Sequence, residues 1–394
     1  MSSSLGGFGG FGGFGGFGGF GGFGGFGGFG GFGGFGGSTL ADGFANPVTM
    51  EALITHRDAT INPKDGGVRA LPGLGKPTDG AADDALERWE PWVRSAIALQ
   101  ALLGGVDVQP TDAGVVVWHH AGNFAAVPPS SSYIPIAELI RPEIGVFEKQ
   151  LPLVESWARL REERCAEVLA QIENQFAFLA SVVYLHPSRT PRTLELLAIA
   201  IQMAVHVEMR VKHALACYRP VELSPQVQPM LTTPGHGSLP SGHATQAYLA
   251  AHVLQSLLEM DPVTHAQDIL QLQRQAARIA TNRVVAGVHF PVDSMAGRML
   301  GQSLGEYFVL RAKKVPPTTV NAYRFNGADN LLKTTSVEFH PSVQDLAGKD
   351  TDANGNVIAP FYSFTTSATV PQASGPLRHL WDRAREEWKG KFGA

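Results

Sequence analysis

Between residues 146 and 312, apolar positions recur every three or four residues with charged residues between them, the spacing of helices that bury one face. The pattern predicts helices over 146–172, 173–185, 191–218, 245–260, 263–285 and 292–312, in a helical body that opens at Pro135. Residues 186–191 break the run. Thr190 and Thr193 are candidate caps for the helix that follows, Pro191 suits its first turn, and Pro220 stops it. Upstream, Ala85, Trp89, Trp92, Val93, Ile97 and Leu99 predict another helix, and 106–120 reads as a short hairpin with 115–118 as its apolar strand. Downstream, Leu377, Leu380, Trp381, Ala384 and Trp388 share one face of a helix over 376–389, which is expected to dock on the core. The fold expected from these periods is all-α.

Four regions follow from the same pattern. Residues 1–40 carry a Gly-Gly-Phe repeat, with Phe at every third position from 8 to 35. Two glycines in three make ordering costly in backbone entropy, so a disordered tail is expected there. Residues 41–145 form a partly helical extension and 146–312 the helical core. Residues 313–394, rich in Pro, Thr, Asn, Asp and Gly, form a loop-rich extension ending in the amphipathic helix.

Composition narrows the function classes. A net charge of −4 with 17% charged residues gives no global basic field for nucleic acid. Two cysteines, Cys165 and Cys217, are too few for a stapled secreted scaffold. The N-terminus shows no secretory signal, and no apolar run is long enough to span a bilayer. The expectation is a cytoplasmic or otherwise soluble protein without a transmembrane segment. His119 and His120 make a poor metal pair, because adjacent side chains point apart on helix or strand.

Three separated segments carry chemistry. Lys212 and Arg219 lie seven residues apart, so a helix brings both cations to nearly one face. Pro240-Ser241-Gly242-His243 directly precedes a strongly helical run. This places a hydroxyl, a glycine amide and an imidazole at a helix N-terminus, where backbone donors favour anions. Arg283 ends one helix, and His289 and Asp293 flank Pro291 at the start of the next, where a carboxylate can fix the imidazole tautomer. Together they supply what a tetrahedral oxyanion requires.

Lys212-x6-Arg219-Pro220, Pro240-Ser241-Gly242-His243 and Arg283-x5-His289-x3-Asp293 resemble the three-part signature of the type 2 phosphatidic acid phosphatase and vanadium-dependent haloperoxidase superfamily. The resemblance covers about 150–312 and implies a helical bundle core. It implies that Lys212, Arg219, Ser241, Gly242 and Arg283 bind the equatorial oxygens of vanadate or phosphate. His289 would be the axial metal ligand of vanadium or the phosphorylated nucleophile, His243 the acid/base, and Asp293 the group orienting His289. Asn282 departs from the pattern where many phosphatase members have serine, and Met209 stands where haloperoxidases often have tryptophan.

A five-coordinate phosphoryl transition state and vanadate share a shape and a charge distribution, so one site serves either chemistry. His236, seven residues before His243, resembles a histidine that algal bromoperoxidases carry near the halide; some bacterial phosphatases of the superfamily also have one. The expected function is haloperoxidase-like, with vanadate as cofactor and hydrogen peroxide, halide and a small organic acceptor as reactants. The alternative is a phosphatase that needs no cofactor, with a phosphate ester as substrate and His289 as nucleophile. A homo-oligomer is compatible with either.

Overall fold

The computed structural model describes residues 51–52, 55–56, 84–123, 130–173, 175–314, 319–367, 371 and 373–392. The repeat tail expected at 1–40 lies outside the described residues.

Three helices stand at the centre of the helical core, while the stretch expected as one helix over 146–172 is broken at Arg159 and Leu160, and the described part of 173–185 holds only the five-residue helix Gln175–Leu179. Pro191–Leu215 (here α5), Gly242–Leu257 (α7) and Pro291–Ala312 (α9) are buried along most of their lengths. Around them stand α1 (Pro91–Leu103), α2 (Ile144–Ala158), α3 (Arg161–Ala170), α4 (Gln175–Leu179), α6 (Pro220–Leu223) and α8 (Ala266–Val285). The short α10 (Asn330–Thr334) and the terminal α11 (Gly375–Glu386) complete them.

The closest helix packing is set by glycine. Gly297, Gly301 and Gly305 form one i, i+4 ridge of α9. A Cβ at the first two would lie 2.6 Å from Ser241 O and 2.4 Å from Thr245 O, so only glycine lets α7 approach this far. This contact positions the site. It brings the start of α9 against the start of α7, where Ser241 N donates to Asp293 O at 2.9 Å.

The all-α expectation is corrected by a five-stranded sheet beside a mostly helical body. Its strands are β1 (Val106–Pro110), β2 (Gly114–Asn123), β3 (Ser130–Ile140), β4 (Val320–Asn326) and β5 (Tyr362–Ser367), hydrogen-bonded in that order. The pair β3–β4 is parallel and the others are antiparallel. The predicted hairpin is therefore β1–β2, whereas β3 occupies sequence expected to begin the helical body. Proline does not disqualify it, because the register shifts at Val117/Trp118 and Pro135 falls at that irregularity, where a missing N–H is tolerated. In β4, Ala322 and Tyr323 are both buried, which breaks the two-residue alternation that would have announced a strand. His119 and His120 diverge as expected. His119 Nδ1 lies 3.0 Å from Tyr307 Oη, while His120 stacks on Tyr133.

The terminal helix docks as its pattern predicts, with Leu377, Leu380, Trp381, Ala384 and Trp388 all buried. Just beyond it, Glu387 reaches the N-terminus of α5. Its carboxylate accepts from the amides of Arg192 (2.7 Å) and Thr193 (2.9 Å) and from the Thr193 hydroxyl (2.7 Å). A distant glutamate thus caps α5, while the Thr190 side chain makes no cap bond.

Candidate active site

Four chain segments converge on one cavity of about 280 Å³. At the end of α5, Ala216 adopts a left-handed conformation (φ 49°), turning the chain so that Arg219 points back into the core. Arg219 is 2% exposed. It donates through Nε to His236 O (3.0 Å), through Nη1 to Val288 O (2.7 Å) and His289 Nε2 (3.1 Å), and through Nη2 to His236 Nδ1 (3.1 Å).

Arg283, in the last turn of α8, is equally buried. Its Nη2 donates to Val168 O (2.8 Å) and Gln171 Oε1 (3.3 Å), while its buried Nε has no hydrogen-bond partner. Burial holds both guanidinium groups down to about 10, so they remain charged at neutral pH, without a paired anion at salt-bridge distance among the described residues. Uncompensated buried cations are costly, and a bound anion would relieve that cost.

The two histidines are held in defined tautomers. A guanidinium only donates, so His289 Nε2 must present its lone pair to Arg219. Its Nδ1 then carries the proton, which it donates to Asp293 Oδ2 at 2.9 Å. The same oxygen accepts from Phe290 N at 2.9 Å, so the first turn of α9 fixes Asp293 before Asp293 fixes the imidazole. Burial, then Arg219 and Lys212, holds His289 well below its usual range, so it is neutral with a nucleophilic Nε2. His243 lies in the first turn of α7, and its Nε2 donates to Gln171 O at 3.0 Å. Burial and the nearby Arg283 keep it neutral as well. Burial also raises the Asp293 carboxyl, to about 7.

The nine residues singled out in the sequence are brought together, but in two layers. Arg219, His236, Gly242, His243, Arg283 and His289 line the cavity. Lys212, Ser241 and Asp293 stand behind that lining. The Lys212 ammonium donates to Gly237 O (3.2 Å), Ser238 O (3.1 Å) and Pro240 O, so it clamps the loop leading into α7. Burial lowers it to about 7. Ser241 is the N-cap of α7, its Oγ accepting from Ala244 N at 3.4 Å.

Residues outside the nine candidate site residues complete the cavity. Glu208, 1% exposed and one helical turn before Lys212, lines it, as do Met209 and Met230. Gln171 anchors both Arg283 and His243 from the end of α3. The one sequence signal for Glu208 is its i, i+4 relation to Lys212 within an otherwise apolar helix.

Two buried guanidinium groups, a helix N-terminus with glycine at its first position, and His289 line one cavity, a set of groups chemically suited to an oxyanion. The comparison with known families agrees. Residues 193–314 match the family model of the PAP2 superfamily, consistent with the resemblance carried by the three motifs. The match supports phosphatase- or haloperoxidase-type activity in general. No curated protein matches the chain. Among the described residues, no helix is long and apolar enough to cross a membrane.

Proposed function

We propose that this chain is a vanadium-dependent haloperoxidase-type enzyme, and that the cavity between α5, α7, α8 and α9 is its active site. The residues present fit vanadate. Arg283 carries an orphaned buried Nε, Arg219 and Arg283 supply two charges without a paired anion, and His289 offers Nε2 with its lone pair. Bound there, vanadate would supply the electrophilic centre at which hydrogen peroxide is activated towards halide.

The chain's own residues have separate tasks in this reading. Arg219, Arg283 and the first amides of α7 bind the oxyanion oxygens. Lys212 contributes charge from behind the loop that it clamps. Asp293 holds the proton on His289 Nδ1, keeping Nε2 as the ligating atom. His243 donates from Nε2 to Gln171 O, which leaves Nδ1 to take and return the protons of peroxide. Anion binding cancels part of the positive field from Arg283 and makes His243 a better base than in the empty site. The observation that supports the halide reading is His236, which lines the cavity and accepts from Arg219 Nη2 at its Nδ1 (3.1 Å), outside the set of cations and amides that would hold the oxyanion.

A phosphate-ester hydrolase is the second reading, and a separate observation favours it. Met209 and Met230 line the cavity, where thioethers would meet any hypohalite formed. In that case the substrate anion offsets the field of Arg283 and lets His243 carry a proton on Nδ1. His289 Nε2 attacks phosphorus, the P–O bond to the ester oxygen breaks as that oxygen takes the Nδ1 proton, and His243 Nδ1 then takes a proton from the water that cleaves the P–N bond. Purified protein with and without orthovanadate, assayed for peroxide-dependent bromination and for aryl phosphate hydrolysis, separates the two. Vanadate-dependent bromination that falls in His236→Ala, with vanadate affinity unchanged, is the expected result. Robust hydrolysis inhibited by vanadate, with no bromination, would overturn it.

A further inference from the structure

A carboxylate is an unexpected lining for an anion site, yet Glu208 sits in this one. It projects from α5, is 1% exposed and lines the same cavity as Arg219, Arg283, His243 and His289. Its Oε1 accepts from Gln246 Nε2 at 3.0 Å, and Gln246 is itself held by Gln175 at 2.9 Å. That glutamine chain fixes the carboxylate in place. Oε2 is buried and has no hydrogen-bond partner. Oε1 lies where a Cβ on Gly242 would meet it at 2.9 Å, so the carboxylate closes directly over the glycine that opens α7. Lys212, one turn along the same helix, does not neutralise it by contact, because its ammonium is bonded to three loop carbonyls.

A buried acceptor without a donor is unfavourable unless the ligand brings the missing hydrogen. Resting on the oxyanion reading of the cavity, we propose that Glu208 selects oxyanions that carry a hydroxyl. Its carboxylate accepts the hydrogen of a protonated tetrahedral anion, such as hydrogen phosphate or a protonated vanadate, and rejects sulfate, which brings no hydrogen at neutral pH. Burial raises the Glu208 carboxyl to about 7, so it is largely ionised and acceptor-only at about pH 8. Against a fully deprotonated anion, two acceptors then face each other with no proton between them. Against a hydroxyl-bearing anion, the same pair forms a charge-assisted hydrogen bond. Specificity of this kind comes from leaving the wrong ligand's partner unpaired.

The test is calorimetric binding of inorganic anions to the full chain at about pH 8. Wild type should bind phosphate about 10- to 100-fold more tightly than sulfate, the range for one charge-assisted hydrogen bond made or lost. Glu208→Gln keeps the shape and offers an amide donor, so the preference should collapse to within about threefold, mainly through tighter sulfate binding. A second read-out needs no variant. Arsenate should follow phosphate and selenate should follow sulfate on wild-type protein, since the hydroxyl and not the size of the anion decides. Equal wild-type affinities for phosphate and sulfate, or an unchanged ratio in Glu208→Gln, would overturn the proposal and leave Glu208 as a structural partner of Gln246. If wild type binds none of the four anions while Glu208→Gln folds normally, the oxyanion reading of the cavity fails and this proposal falls with it.

Discussion

Replacing Arg283 with methionine separates a binding cation from a structural one. Arg283 is 1% exposed, and burial lowers its guanidinium from its ordinary range to about 10. At about 1.36 kcal/mol for each tenfold change in the protonation equilibrium, keeping that charge in the empty cavity costs about 3 kcal/mol. The group recovers part of this through its bonds to Val168 O and Gln171 Oε1, about 1 kcal/mol each. Arg283→Met fills similar volume, removes the charge and loses both bonds, so the anion-free variant should be within about 1 kcal/mol of wild type. Phosphate at about 100 times its dissociation constant should stabilise wild type by about 2.7 kcal/mol. At roughly 2.1 cal/mol/K per residue over a folded body of about 300 residues, that is a rise of about 4 °C in melting temperature. Arg283→Met should show almost none of this rise. Differential scanning fluorimetry in phosphate-free buffer and across a phosphate titration measures both quantities. A variant that melts far below wild type without phosphate, yet keeps the full phosphate shift, would refute the reasoning.

Three further outcomes follow from the same geometry. His289→Ala should lose retention of vanadate or of a phosphoenzyme, while His243→Ala should retain the anion and lose roughly 10²- to 10⁴-fold in turnover; equilibrium dialysis beside kinetics checks the split, and the reverse pattern would exchange their roles. Burial raises the Glu208 carboxyl from 4.5 to about 7, so between those values the folded state holds a proton that the unfolded chain has released. The stability Glu208 provides relative to Glu208→Gln is therefore intact below pH 4.5 and lost as the pH rises through 7, by up to about 3 kcal/mol, and parallel urea-melt profiles for the two proteins would contradict this. Glu387→Ala removes the acceptor for two amides and a hydroxyl at the start of α5, and should lower stability by about 2 kcal/mol in denaturant titrations with little change in anion affinity.

The site was legible because its parts are encoded at helix ends. Ser241 and Gly242 open α7, Arg283 closes α8, and His289 and Asp293 straddle the first turn of α9. These positions can be assigned from local rules, whereas Arg219 does not share a helix face with Lys212 as its spacing suggested, because α5 ends at Leu215 with Ala216 left-handed, and Pro220 opens α6 instead of stopping α5. Glu208 was not legible as a site residue, because a charged residue in an apolar helix reads equally as an exposed interruption. Only the approach of Gln246 and Gly242 from another helix makes it part of the cavity. The second layer was hidden for a related reason. The motif pairs Lys212 with Arg219, but the three loop carbonyls that accept hydrogen bonds from its ammonium are 25 to 28 residues away in sequence. The sheet was half legible. The β1–β2 hairpin shows in the short apolar run 115–118, whereas β3 is masked by Pro135 at a register shift, and β4 pairs in parallel with β3 across the entire helical core.

The central claim is that His289 Nε2 and two buried arginines hold a tetrahedral oxyanion. A crystal structure of vanadate-loaded protein measures this directly. Vanadium bonded to His289 Nε2, with Arg219 and Arg283 donating to its oxygens and Glu208 within hydrogen-bond distance of a vanadate hydroxyl, is the predicted result. Vanadate bound elsewhere, or in the cavity without a bond to His289, would contradict it.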